Sequence, residues 1–398
     1  MPQQVVQRRS RGFICVNAHP EGCRRNVERQ VAAIGAQAKP RHTGLGSVLV
    51  IGASTGYGLA SRIAAAWGFG AKTLGICLER QPEGDKTATA GFYNTVALHD
   101  LARRDGLFAS SMNADAFSDA AKRSAAEIVR KEMGKLDLII YSVAAPKRTD
   151  PKSGKVHASV LKPIGAAYTN KTVELDSEKV TEVTIPPAND TEIADTVAVM
   201  GGEDWKRWME MLAEEDLLAE NACTLAYSYI GPEMTWPIYR DGTIGAAKKD
   251  LEQTALALDE MLDGRLGGEA RIAVNKAIVT QASAAIPVVP LYMSILFRVM
   301  KQKGLDEGAL EQMRRLFFEF LAEGAAPKFD EAGRIRLDDR EMRADVQKEV
   351  TSLWTNITTE NLRELSDFAG FQHQFRALFG FEVDGVDYSA PTETLLSW

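Results

Sequence analysis

Ser47-Val48-Leu49-Val50-Ile51-Gly52-Ala53-Ser54-Thr55-Gly56-Tyr57-Gly58-Leu59 is the stretch that decides the fold. Val48 to Ile51 are apolar and largely β-branched. A short run of this kind with turn residues around it reads as a parallel strand buried on both faces. Three glycines follow in the order G-x-x-x-G-x-G, and then an alanine-rich helix from Leu59 to Trp67. Strand, glycine turn and helix together make a site for a dinucleotide pyrophosphate. The glycines let the backbone approach the phosphates, and the helix N-terminus offers free N–H groups and a positive dipole end. The spacing is not G-x-G-x-x-G, so a tight structural turn stands as the alternative.

Working outward, Lys72 to Glu79 reads as a second strand ending in an acid. An acid a little over twenty residues past the glycines accepts hydrogen bonds from adenosine ribose hydroxyls and repels a 2′-phosphate. Glu79 therefore argues for NAD(H) over NADP(H), while Arg80 pulls the other way. Leu107 to Asp115 is a third strand. Asp115 is placed either to accept from an adenine amino group or to cap the helix at Ser118. Leu136 to Pro146 is a fourth strand running into a small-residue loop. Leu225 to Ile230 and Ala270 to Thr280 supply two more, and Thr280 is placed to meet a nicotinamide carboxamide. Strands alternating with helices predict an α/β fold, a doubly wound parallel sheet with its ligand at the carboxyl ends of the strands.

Residues 147–200 break the rhythm and read as an inserted hairpin or small sheet. Ser47 opens a core running over 46–304. Residues 1–45 form an N-terminal extension whose first eleven residues read as a loose arm or an edge, followed by a helix from Pro20 to Gln37. Residues 305–398 form a helical C-terminal extension packed on the core, and 1–398 is expected to be one compact unit. The apolar stretch Ala284 to Met300 reads as a core helix whose N-terminal part walls a substrate channel.

Composition removes several function classes. The chain has 398 residues, 45% apolar and 25% charged, as a globular protein does. A net charge of −7 argues against non-specific nucleic-acid binding, which needs a basic field. No run of about 18 apolar residues suggests a membrane span, and no signal peptide is evident. Four cysteines do not make a disulfide scaffold, so a reduced, cytoplasmic protein is expected. Cys15, His19 and Cys23 lack a fourth ligand and paired Cys-x-x-Cys spacing. They read as buried cysteines beside a capping or core histidine, and no metal is expected.

Tyr239 and Lys248 lie nine positions apart across Gly242-Thr243, a plausible helix cap. Tyr239 is on the loop entering a helix from Ala246 to Leu262, and Lys248 is in its first turns. A phenol beside an ammonium is a better proton donor than a phenol alone. A packed tyrosine beside a surface lysine is the alternative. Tyr229, at the end of the fifth strand, either contacts a substrate or packs.

These residues have a familiar form. The chain resembles the trans-2-enoyl-CoA reductase family, also called the FabV-type enoyl-acyl-carrier-protein reductases, enlarged relatives of short-chain dehydrogenases/reductases. The resemblance runs essentially end to end. It rests on Gly12-Phe13-Ile14-Cys15 with Ala18-His19-Pro20, on Gly52 to Gly58, on Pro237-Ile238-Tyr239 with Gly242-Thr243-Ile244-Gly245, and on Thr280-Gln281-Ala282-Ser283. The Tyr-x8-Lys spacing is its most specific mark; ordinary short-chain enzymes use Tyr-x3-Lys and smaller enoyl reductases Tyr-x6-Lys. Trp236 departs from the family pattern.

The resemblance implies an enzyme that reduces the C2–C3 double bond of trans-2-enoyl thioesters of acyl carrier protein or CoA with NADH, the last reductive step of fatty-acid elongation. It implies Tyr239 as catalytic proton donor, Lys248 as cofactor-binding lysine and Tyr229 as a substrate-contacting second tyrosine. It implies cofactor contacts at Gly52, Ala53, Ser54, Thr55, Gly56 and Tyr57, at Leu78 and Glu79, at Asp115 and Ala116, at Val143 and Ala144, and at Ile278, Val279 and Thr280. A monomer is the family expectation. The family's C-terminal segment carries a name referring to FAD, but no flavin signature is present and none is expected. A short-chain carbonyl or alcohol dehydrogenase, or a non-catalytic NAD-binding sensor, is the rival reading.

Overall fold

A computed structural model describes residues 3–35, 44–325 and 328–398. Seven parallel strands form the central sheet: β1 (Ser47–Ile51), β2 (Lys72–Cys77), β3 (Ala109–Asn113), β4 (Leu136–Tyr141), β5 (Leu218–Ser228), β6 (Glu269–Val274) and β7 (Ile335–Arg336). Their spatial order is β7-β6-β5-β4-β1-β2-β3. The chain therefore reverses direction across the sheet between β1 and β4, where a crevice opens at the carboxyl ends. Every residue of β1 is buried, as a central strand covered on both faces must be.

Before the sheet comes α1 (Pro20–Gly35); residues 36 and 37 of the expected helix lie outside the described residues. The helices α2 (Gly56–Ile63), α3 (Ala90–Arg104) and α4 (Asp119–Ile128) alternate with the first strands. The α2 helix runs on through a wider π-type turn, Ala64–Phe69, that Gly70 ends in the left-handed conformation. Helices α1, α2 and α3 share one apolar cluster with one face of the sheet, and α4 lies on the other.

The insertion differs from expectation. It holds two hairpins, Lys147–Thr149 with Val156–Ala158 and Tyr168–Val173 with Val180–Ile185, and then a helix, α5 (Asp190–Met200). Asn189 is no mere turn residue. It caps α5, and Glu192 returns the bond, so a capping box starts the helix. The helices α5 and α6 (Glu203–Glu214) pack along α7 (Thr243–Leu266).

Beyond β6 come the short α8 (Gln281–Ala284), the buried α9 (Val289–Gln302), α10 (Ala309–Arg315), α11 (Ala344–Asn356), the short α12 (Leu362–Leu365) and α13 (Phe368–Leu378). The outer segments are built into the fold more closely than a packed extension requires. Residues 305–398 are not only a packed extension, because Ile335 and Arg336 add a strand to the sheet beside Ala273 and Val274. Of the two readings of the first residues, the edge is the one the structure has. Gln3–Gln4 pair antiparallel with Thr392–Glu393, and Ser10–Arg11 pair with Ile14–Cys15.

Candidate active site

The glycine turn is built as its spacing requires. Gly52 has φ 88° and Gly56 φ 52°, both in the left-handed region. A Cβ on Gly52 would sit 2.2 Å from the Ser142 carbonyl oxygen, and one on Gly58 would sit 1.9 Å from the Gly52 oxygen. The first glycine thus lets β1 pass the loop after β4, and the third lets α2 close on the turn. Thr55 is the N-cap residue of α2 but its hydroxyl caps nothing, so the first N–H groups of the helix stay free for an anion. Tyr57 turns inward, donating from its hydroxyl to the Lys276 carbonyl at 2.7 Å.

A cavity of about 880 Å³ opens at this turn. Its wall brings together Thr55, Gly56, Glu79, Ile278, Val279 and Thr280 from the expected contacts. Cys15 to Asn17, at the end of the N-terminal hairpin and just past it, and Asp306 to Glu311, leading into the first turn of α10, close its sides. Gly52, Ala53, Ser54, Tyr57, Leu78, Asp115, Ala116, Val143, Ala144, Tyr229, Tyr239 and Lys248 are not part of that wall. Val143, Ala144 and Tyr229 nonetheless follow β4 and β5 at the same carboxyl edge of the sheet.

Glu79 is held from four sides. Its carboxylate accepts from the Ser54 hydroxyl at 2.5 Å and from the Thr89 hydroxyl. Its backbone N–H donates to Asn113 Oδ1 at 2.7 Å, and its carbonyl accepts from Asn113 Nδ2 at 2.8 Å. The Arg80 guanidinium donates to the carbonyls of Val16 at 3.0 Å and Thr87 at 3.3 Å. The acid is thus held at the strand end, and Nη2 of the arginine beside it is engaged by backbone carbonyls. Leu78 is 73% exposed, a large apolar side chain at the end of β2. Asp115 is not the helix cap. It accepts from the Phe117 N–H at 3.0 Å, and Ser118 caps α4 instead. Thr280 caps α8 through a reciprocal bond with Ser283, which fixes the Ile278–Thr280 stretch at the cavity wall.

The second half of the site lies where β5 ends and α7 begins. Gly242, not Thr243, is the N-cap residue of α7. The Thr243 hydroxyl donates instead to the Val160 carbonyl at 2.6 Å, tying the Tyr239 loop to the insertion. Tyr239 is buried, and its ring meets that of Tyr229 edge-on at 5.1 Å. Among the described residues the Tyr239 hydroxyl makes no hydrogen bond. Lys248 Nζ donates to the Tyr227 carbonyl at 3.1 Å, and burial pulls its ammonium down to about 8 against the opposing charge of Glu252. Lys248 does not acidify Tyr239 in this arrangement. Burial, and then the charge of Glu341, push the phenol up, because the lysine is committed to the β5 carbonyl.

Glu341 is the residue that sequence reasoning missed. It is completely buried. Oε1 accepts from the hydroxyls of Tyr229 at 3.0 Å and Tyr292 at 2.7 Å, and Oε2 accepts from the Ala277 N–H at 2.7 Å. Burial raises its carboxyl, and the charge of Lys276 opposes that rise. Lys276 is itself buried, lines the cavity and stands 4.8 Å from the Phe297 ring. Ahead of α11, which starts at Ala344, the N–H groups of Leu337 and Asp338 both turn to the Val274 carbonyl. That turn carries Glu341 inward.

No cluster of metal-ligating side chains occurs among the described residues. Cys15 and Cys23 are free, and buried His19 accepts from the Gly22 N–H at 3.2 Å, as a capping histidine does.

Comparison with known proteins identifies this architecture. Residues 86–322, more than half the chain, match the model of the trans-2-enoyl-CoA reductase catalytic region. The chain belongs to the trans-2-enoyl-CoA reductase family. Residues 5–84 match the family's NAD(P)H binding domain, and residues 329–392 match a segment described as an enoyl reductase FAD binding domain. An enoyl-[acyl-carrier-protein] reductase [NADH] of Opitutus terrae is 54% identical over 389 residues, covering 98% of each chain. A trans-2-enoyl-CoA reductase of Euglena gracilis is 53% identical over 98% of this chain and 72% of its own. The crystal structure of the Treponema denticola trans-2-enoyl-CoA reductase in complex with NAD superposes with a TM-score of 0.93 at 47% identity, covering 97% of this chain and 98% of that one.

The trans-2-enoyl-CoA reductase residues present here fit a nicotinamide dinucleotide. The free N–H groups of α2, the Glu79 carboxylate and the cavity wall at Ile278–Thr280 supply what its phosphates, ribose and ring require. Residues 329–392 do not fit a flavin. Val346, Val350, Trp354, Phe368, Phe371 and Phe375 join the apolar cluster around α9. Arg336, Arg343 and Arg363 pair with Asp338, Asp345 and Glu178. What that segment brings to the site is Glu341.

Proposed function

We propose how this chain's residues divide the work of its family's reaction, the NADH-dependent reduction of the C2–C3 double bond of a trans-2-enoyl thioester, the last reductive step of fatty-acid elongation. Bound NADH supplies the hydride that C3 receives. Negative charge then develops on the thioester oxygen, and a proton from Tyr239 or solvent, delivered to C2, completes the reduction. Tyr239 is the catalytic residue that donates a hydrogen bond to that oxygen, worth ~3 kcal/mol for one well-placed donor. Lys248 holds the nicotinamide ribose. Tyr229 presents its ring beside the acyl group. Gly52 to Tyr57 cradle the pyrophosphate with backbone N–H groups, and Glu79 takes the adenosine ribose. Leu78, Asp115 and Ala116 border the adenine, while Val143, Ala144 and Ile278 to Thr280 border the nicotinamide half.

One observation carries the reading: the Tyr239 phenol is buried, edge-on to Tyr229, and among the described residues its hydroxyl hydrogen is committed to no other group. A phenol held in place with its proton uncommitted is prepared for an oxygen that becomes anionic. The test is NADH oxidation with crotonyl-CoA by Tyr239→Phe. Turnover falls by about 100-fold or more while NADH still binds, and parent-like turnover would remove Tyr239 from this role.

The acyl carrier is CoA or acyl carrier protein, the two thioester types named among relatives; crotonyl-CoA and crotonyl-acyl-carrier-protein assayed in parallel tell them apart. The protein works as a cytoplasmic monomer. All four cysteines are free and buried, no helix among the described residues is long and apolar enough to cross a membrane, and α5 and α6 cover α7. Sedimentation of the protein with and without NADH tests the monomer.

A further inference from the structure

Two phenols, Tyr229 and Tyr239, stand together where β5 ends and α7 begins, with ring centroids 5.1 Å apart. Their hydroxyls are not equivalent. The Tyr229 hydroxyl donates to Glu341 Oε1 at 3.0 Å, whereas the Tyr239 hydroxyl makes no hydrogen bond among the described residues. A hydroxyl has one hydrogen, and an ionised carboxylate only accepts. With its hydrogen on Glu341, Tyr229 has none left for a substrate oxygen.

Glu341 is well placed to impose this. Tyr292 from α9 shares Oε1 at 2.7 Å, the Ala277 N–H holds Oε2 at 2.7 Å, and Gln347 Nε2 donates to both the Tyr292 hydroxyl at 3.2 Å and the Glu341 carbonyl at 2.7 Å. A buried carboxylate near a developing anion would oppose the reaction if its charge stood alone. Lys276, also buried, supplies the balancing charge from the loop that follows β6.

We propose that Glu341 is a positioning residue of the reduction: it accepts the Tyr229 hydroxyl and holds the Tyr229 ring edge-on to Tyr239, leaving Tyr239 as the single donor to the thioester oxygen. This rests on the reading of Tyr239 as that donor. Glu341 touches no reacting atom and acts through Tyr229. The catalytic centre therefore depends on a carboxylate from the segment named for a flavin, and the function of that stretch here is to orient a phenol.

The test is a double-mutant cycle of Glu341→Gln and Tyr229→Phe in the full chain, with NADH and crotonyl-CoA as substrates. NADH affinity and thermal melting are measured for each variant. Each single change lowers kcat between about 3- and 100-fold, with both KM values and the NADH Kd within about 2-fold of the parent. The double variant stays within about 3-fold of the worse single, because both changes end the donation from the Tyr229 hydroxyl: with its oxygen held by the Ala277 N–H, the glutamine turns its NH2 toward that hydroxyl. Losses that multiply, or parent-like kcat in Glu341→Gln, overturn the proposal. So does a loss above about 100-fold in Tyr229→Phe, the size expected when a direct oxyanion donor is removed. Should Glu341→Gln fail to fold, Tyr229→Phe decides alone, by whether its loss falls inside that range. Tyr239→Phe is the control: parent-like turnover there defeats the reading of Tyr239, whereas its expected loss beside an additive cycle defeats only the inference about Glu341.

Discussion

The Ser54 hydroxyl donates to Glu79 Oε1 at 2.5 Å, so the glycine turn after β1 and the acid at the end of β2 hold each other in place. One carboxylate thereby shapes the turn and, on the proposed reading, confronts whatever occupies the ribose 2′ position. Glu79→Gln keeps the shape and removes the charge. Its kcat/KM with NADPH rises about tenfold or more, while that with NADH falls severalfold, since a 2′-phosphate no longer faces an anion. Steady-state kinetics with both cofactors checks this, and an unchanged ratio would mean that the acid does not discriminate.

Gly91, in the first turn of α3, is the space that Glu79 occupies. A Cβ there would lie 2.0 Å from Glu79 Oε1 and 2.8 Å from the Ser54 Cβ. Gly91→Ala therefore displaces the carboxylate and weakens NADH binding about tenfold. Helix propensity alone would favour alanine by ~1 kcal/mol, so the damage appears in cofactor affinity more than in melting temperature. Fluorescence titration with NADH beside a thermal melt separates the two.

Lys248 sets the alkaline limit of the free enzyme. Burial depresses its ammonium from 10.5 to about 8, so the cation is present below that pH and lost above it. If the charge is needed for the nicotinamide ribose, kcat/KM for NADH falls tenfold per pH unit above about 8. Lys248→Arg keeps its charge throughout the range, so its profile stays flat there even if its plateau is lower. The same limb in the arginine variant would assign the titration to another group.

Lys122 and Asp204 form a buried pair at 2.7 Å, with side chains 4% and 1% exposed. The ammonium also donates to the Ala116 carbonyl at 2.9 Å and the Phe117 carbonyl at 3.2 Å, fixing the turn that carries Asp115. Asp204→Ala leaves that ammonium without its counter-ion and costs ~3–5 kcal/mol of stability. Urea unfolding measures the loss. The paired change Lys122→Met with Asp204→Leu recovers much of it, because an apolar pair leaves no buried charge.

The parts of this protein that local chemistry controls were readable from its residues. Val48 to Ile51 is apolar on both faces because β1 is central, and Gly52 and Gly56 mark positive φ values where a side chain would be strained. The Asn189-x-x-Glu192 capping box was equally local and announces α5, but the β-type residues before it hid the helix. Other features depend on distant partners. Ile335–Arg336 is too short to show a strand period, and only its neighbour β6 makes it one. Glu341 stands among Asp338, Asp339, Arg340 and Arg343, which in sequence resemble a solvated helix face. Its burial is decided by Tyr229, Ala277 and Tyr292, three separate stretches that meet only in the folded molecule.

The pairing of Gln3–Gln4 with Thr392–Glu393 has a meaning in time as well as in space. At about 5–20 residues per second of synthesis, the first strand waits roughly 20–80 s for its partner to be made. The hairpin beside it, Ser10–Arg11 with Ile14–Cys15, helps to wall the cofactor cavity. A nascent chain thus emerges with its glycine turn early and its cavity unfinished. The cavity wall draws on residues from Ile14 to Phe379, so it is complete only once nearly the whole chain has been made.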